Sequence, residues 1–138
     1  MTLQWMRRLT ALLALLLVTA AYAGAPHYAD LKLSDSEDGD AMESFAPDTA
    51  KIFLHAGLVD VASGSKLSST WIAEDTGGVA PANYKIDSVT LNVGMLTNVA
   101  TFSLSKPTAG WPVGKYRVDL FIDGKASGTV HFKVEADD

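Results

Sequence analysis

The sequence contains no cysteine. That excludes a disulfide framework, a thiolate metal site and a cysteine nucleophile, so packing alone has to hold the fold. There is no Gly-x-Ser-x-Gly motif for a serine nucleophile. Gly77-Gly78 and Gly124 follow strand-like segments but open no helix, so a phosphate-cradling loop is absent as well. Basic residues are few: 11 Lys and Arg stand against 16 Asp and Glu, a formal charge of −5. Such an acidic chain repels phosphate backbones, and no nucleic-acid partner is expected. No apolar run approaches the ~20 residues needed to cross a hydrocarbon core.

The one sizeable apolar run, at 9–18, has a different use. Arg7 and Arg8 precede it, and Ala21-Tyr22-Ala23 follows with small residues at the two positions a signal peptidase reads. Residues 1–23 therefore read as a cleavable signal peptide, with the working protein starting near Gly24. No cysteine follows the run, so it is not a lipoprotein signal. Cleavage leaves one domain of ordinary size, which buries roughly two-thirds of its unfolded surface. It also removes both arginines, leaving nine basic residues against sixteen acidic ones, a charge of −7. A cysteine-free exported chain fits a bacterial periplasm or extracellular setting, with no membrane span after cleavage.

Residues 24–44 are crowded with Asp30, Asp35, Glu37, Asp38, Asp40 and Glu43, and read as a flexible acidic tail. Within it, residues 28–33 alternate and could form an edge strand. From Phe45 the character changes, and residues 45–138 read as the folded domain. Short alternating segments fall at 51–59, 66–74, 84–93, 99–104, 115–123 and 128–135, separated by turn signals, and no helical period is sustained. In 84–93, Ile86 is out of phase with Val89, Leu91 and Val93, which points to a bulge or a later start. Asp123-Gly124 marks a hairpin. A plain two-residue loop would put Val130 on the wrong face, so either the loop has odd length or the hairpin carries a bulge; a three-residue loop is expected, pairing Tyr116 with Val130 or Phe132. About seven short strands without crossover helices make an all-β, antiparallel two-sheet sandwich or barrel.

The stretch Trp111-Pro112-Val113-Gly114-Lys115-Tyr116-Arg117-Val118-Asp119-Leu120-Phe121-Ile122-Asp123-Gly124, closing with Val130-His131-Phe132-Lys133-Val134, resembles the last two strands of an immunoglobulin-like or fibronectin-type-III-like sandwich of the kind found in bacterial exported proteins. Its Pro-x-Gly-x-Tyr piece is similar to the tyrosine corner, and Trp71 to the buried tryptophan of such domains. The resemblance covers residues 45–135 and implies an immunoglobulin-like fold with a binding or assembly role. It does not extend to the inter-sheet cysteine pair of antibody domains.

Catalytic, cofactor and metal sites are not expected. His27 sits in the tail, while His55 and His131 face solvent on strands of opposite sheets. The run Asp35-Ser36-Glu37-Asp38-Gly39-Asp40 lacks the terminal bidentate glutamate of a calcium loop. Glu74 and Asp75 read as a strand end. The candidate partner face is Arg117, Phe121, His131 and Lys133, an exposed aromatic beside cations. Trp111 is a candidate loop contact, either capping the sandwich or offering a stacking platform to sugar or peptide. The expected function is a non-catalytic exported module binding a protein, peptide or glycan. The alternative is a structural or chaperone-like subunit of a surface appendage, using residues 28–33 to extend a neighbour's sheet.

Overall fold

The computed structural model describes residues 24–136; the expected signal peptide, residues 1–23, lies outside the described residues. Eight strands occur among them and no helix. They are β1 (His27–Ser34), β2 (Ser44–Phe45), β3 (Lys51–Val59), β4 (Lys66–Asp75), β5 (Tyr84–Asn92), β6 (Val99–Ser105), β7 (Gly114–Ile122) and β8 (Lys125–Val134). One sheet has the order β1-β3-β6 and the other β2-β8-β7-β4-β5. Every pairing is antiparallel except the short parallel contact of β2 with β8.

The period-two patterns decide which faces meet. Ile52, Leu54 and Ala56 of β3, with Ala100 and Phe102 of β6, line the inner side of the smaller sheet. Leu67 and Trp71 of β4, Tyr116, Val118, Leu120 and Ile122 of β7, and Phe132 and Val134 of β8 line the larger. Alternate residues face outward, as a half-buried sheet requires. Phe132 sits at the centre of an aromatic cluster. Its ring stacks on Tyr116 at 5.0 Å between centroids and meets the edges of Phe45, Trp71 and Trp111 at 5.7–6.4 Å. The Trp71 ring N–H donates to the equally buried Ser69 hydroxyl. Among the described residues no buried side-chain polar atom lacks a partner.

The tyrosine corner is present. The Tyr116 hydroxyl donates to the Pro112 carbonyl four residues upstream. Gly114 lets this corner close against β4: a Cβ there would overlap the Asp75 carbonyl oxygen and come within 2.9 Å of the Thr76 Cα.

The N-terminal boundary differs from the expected one. The sandwich begins at His27 rather than Phe45, because β1 pairs with β3 and buries Tyr28 and Leu33. The Tyr28 hydroxyl crosses the core and donates to the Phe121 carbonyl at 2.7 Å. Average composition hides that the apolar residues of this stretch are periodic. The acidic residues after β1 stay at the surface, where Lys32 Nζ donates to the Gly39 carbonyl. Residues 28–33 are thus paired within their own sandwich.

The β7–β8 hairpin takes the bulged alternative rather than the three-residue loop. Its loop is the two-residue Asp123-Gly124, with Ile122 opposite Lys125. Both loop residues have positive φ, 49° and 81°, the type I′ pattern that matches strand twist. Face parity is restored further along: Leu120 faces Gly128 while Phe121 faces Ala126, so Ser127 is the extra residue of a bulge. Tyr116 then faces Phe132. The bulge expected in β5 falls at Ile86, since Trp71 faces Asp87 but Ile72 faces Lys85.

Candidate functional site

The outer face of the five-stranded sheet gathers the chain's clearest polar cluster, and a bulge organises it. Ala73 faces Tyr116 and Asp75 faces Lys115, so Glu74 is an extra residue in β4. Bulges re-aim side chains, and this one sends the Glu74 carboxylate across two strands. One oxygen accepts from Arg117 on β7 at 3.3 Å; the other lies 3.2 Å from His131 Nδ1 on β8. Arg117 also donates to both Asp119 oxygens at 3.3 Å and to Asn83 Oδ1 at 2.9 Å. Thr129 donates to Asp119 in turn. The guanidinium is therefore held in a net of acceptors and works as the hub of the face.

The free cations lie beside this hub. Lys115 and Lys133 are cross-strand neighbours, both exposed. They border an open hollow of about 630 Å³ with Glu43, Glu74, His131 and Glu135. Tyr116 and Phe132 form part of its lining. Two lysines interleaved with three carboxylates suit a partner that carries charges of both signs, as a folded protein surface or a peptide does.

Of the expected face, His131 and Lys133 come together at this hollow, and Arg117 borders it through Glu74. Phe121 does not join them. It lies four residue steps from Arg117 on an extended strand, about 13 Å. Its register partners are Ser68 and Ala126, and Asp119 stands between it and the cations. Trp111 is 2% exposed, its ring N–H donating to the Thr49 carbonyl at 2.8 Å. A stacking platform needs an open ring face, so Trp111 is a cap over the end of the sandwich. A smaller apolar groove of about 310 Å³ lies beside it, between Tyr84, Ile86 and Pro107.

Sequence reasoning missed Glu74, Glu43, Lys115 and Glu135. Glu74 read as a strand end because a bulge is visible only once the neighbouring register is known. Glu43 arrives through the β2 crossover, for which the sequence carries no signal.

The histidines are dispersed. His27 lies at the start of β1, with Nδ1 3.0 Å from the Ala25 carbonyl. His55 sits on the opposite sheet from His131, between Thr101 Oγ1 at 3.2 Å and Ser34 Oγ at 3.4 Å. Among the described residues, no group of three or more His, Asp or Glu is placed to hold a metal ion. Burial pushes the hydroxyls of Tyr28 and Tyr116 up to about 12. Both are core hydroxyls bonded to backbone carbonyls.

No family model matches the sequence, and no curated protein matches it. Among solved structures, an immunoglobulin-like protein from Pseudomonas aeruginosa is similar over 81% of this chain and 93% of its own, at 14% identity and a TM-score of 0.50. Part of an alkylpurine DNA glycosylase from Pseudomonas fluorescens is also matched, over 80% of this chain but 30% of the enzyme, at 14% identity and a TM-score of 0.46. The first likeness shows the fold: the chain is an all-β immunoglobulin-like sandwich. The second is too slight to bear on function.

Proposed function

We propose that this protein is a non-catalytic exported module that binds a protein or peptide partner through the outer face of its five-stranded sheet. The observation that carries the reading is the open hollow in which Lys115 and Lys133 stand opposite each other among Glu43, Glu74 and Glu135. Lys115, Glu74, His131 and Lys133 lie on the neighbouring strands β4, β7 and β8, so the backbone positions of these charges are set by the sheet before a partner docks. The immunoglobulin-like fold is consistent with a binding role, and the N-terminal pattern of Arg7, Arg8, residues 9–18 and Ala21-Tyr22-Ala23 supports export. A glycan is the less favoured ligand of this hollow: it wants an exposed aromatic platform, and Tyr116 and Phe132 are buried there.

Two measurements test this. Mass spectrometry of the protein exported from a bacterial host should show a chain beginning at Gly24; retention of residues 1–23 in the cell fraction overturns the export reading. Lys115→Glu with Lys133→Glu should remove the partner bands that the unaltered protein captures from periplasm or medium. Phe121→Ser, away from the hollow, should keep them. Capture unchanged by the double reversal locates the binding elsewhere.

A further inference from the structure

Of the sheet edges, one is left unguarded. β1 carries a bulge at Asp30 and Leu31, with Lys32 beside it. β8 is covered at its end by β2 and bulges at Ser127. β5 bulges at Ile86 between Lys85 and Asp87, and the Asp87 carboxylate takes the Ser88 backbone N–H at 2.8 Å. Charges, bulges and occupied amides are the devices that keep strand edges from pairing with other chains. β6 has none of them. Its seven residues, Val-Ala-Thr-Phe-Ser-Leu-Ser, include no charge, proline or glycine. They pair with β3 in unbroken register from Lys51–Ser105 to Gly57–Val99. Among the described residues no strand lies on the other side of β6.

The occupant can be read from the pattern of β6 itself. Its inward residues are Ala100, Phe102 and Leu104, symmetric about Phe102. In an antiparallel pairing of two copies centred on Phe102, Ala100 meets the partner's Leu104, Thr101 the partner's Ser103 and Val99 the partner's Ser105. Apolar residues then continue the core row and all seven positions are used, with no charge facing a charge. Register is fixed by the hydrophobic pattern in just this way. Val99, 55% exposed, and the half-buried Leu104 supply the apolar surface to be covered. The neighbouring β3 carries one charged residue, Lys51, so the acid excess of the chain does not oppose contact here.

We propose that β6 is a self-association edge, through which two copies of this chain join their three-stranded sheets into one six-stranded sheet about a two-fold axis. The outer face of the larger sheet remains free in such a dimer, so this inference is independent of the binding role assigned to that face.

Sedimentation of the purified protein should give a mass of two chains at micromolar loading. Thr101→Lys with Ser103→Lys places lysine opposite lysine twice across the axis, and association should weaken by more than about tenfold. The double glutamate variant at the same positions should also sediment as one chain. An equal mixture of the two should recover the two-chain mass, a result that damage to folding cannot produce. The fluorescence of buried Trp71 and Trp111 checks that each variant is folded. As the chain has no native thiol, Val99→Cys with Ser105→Cys should give a disulfide-linked dimer on mild oxidation. A single-chain mass for the unaltered protein overturns the proposal, including in favour of a foreign peptide on the same edge. A two-chain mass that the lysine variant does not disturb places the interface elsewhere and overturns it equally.

Discussion

The two sheets of this sandwich use the same alternation to different ends. In the five-stranded sheet both sides are elaborated. The inner side holds the ring cluster around Phe132, and the outer side holds the Glu74–Arg117 net. In the three-stranded sheet the inner side is mostly aliphatic, with the rings of Phe102 and Tyr28. Its outer charges are sparse, and one of its edges is bare. The difference teaches that a stable inner face places no demand on the outer one. The larger sheet presents a partly pre-paired polar surface, while the smaller leaves backbone groups open along one edge.

The largest expected effect separates the two inner sides. Phe132→Ala and Phe102→Ala each open a cavity in a buried site, costing about 3–5 kcal/mol. Phe132 loses in addition ring contacts worth about 0.5–1.5 kcal/mol each, so its variant should be the less stable in urea unfolding. Equal midpoints would mean the cluster adds nothing beyond volume.

Tyr28 and Tyr116 come next, one from each sheet, both bonded to a carbonyl of the larger sheet or its loop. Tyr→Phe at either position should cost about 1–1.5 kcal/mol, the worth of one buried hydrogen bond. Their pH signature follows from the direction of the shift. Burial raises both hydroxyls from 10.0 to about 12, so the folded state favours the neutral form. Stability from these groups is intact below pH 10 and falls as pH rises from 10 towards 12. Each Phe variant should show a shallower loss over that window, and the double variant the shallowest. A decline as steep as that of the unaltered protein would assign it to other groups.

Smaller still is the guard on β5. Asp87→Ala frees the Ser88 amide and removes a charge from that edge. Stability should change by less than about 0.5 kcal/mol. Light scattering on concentrated protein should show added association beyond the β6 pair. A comparably small effect on stability is expected from Glu74→Gln. It weakens partly exposed pairs worth about 0–1 kcal/mol, and should alter partner capture more than the melting temperature.

Much of the fold was legible because period-two patterning is local. The strands at 51–59, 66–74 and 115–123 match β3, β4 and β7 within one residue, and Trp71 and Tyr116 are in the core as the resemblance implies. The first strand was half legible: alternation in 28–33 marked it, but the acidic neighbours outweighed it in composition. The hairpin parity problem was visible in the sequence, whereas its solution was not. A longer loop and a bulge correct the phase equally well, and positive φ at Asp123 and Gly124 favours the tight turn with a bulge.

The candidate site was legible only in part, for the same reason. Arg117, His131 and Lys133 share an outward phase on two strands and could be grouped by counting. Glu74 joins them because β4 gains a residue against β7, and Glu43 because the chain crosses between sheets at β2. Both are events of pairing. Side-chain alternation and turn chemistry are properties of a few consecutive residues, and net charge is a sum that needs no fold, so the sequence alone determined the all-β class, the core rows and the acidity. Which bulge corrects which slip, which carboxylate meets Arg117, and which edge stays bare depend on strands distant in the chain, and these only the tertiary structure decided.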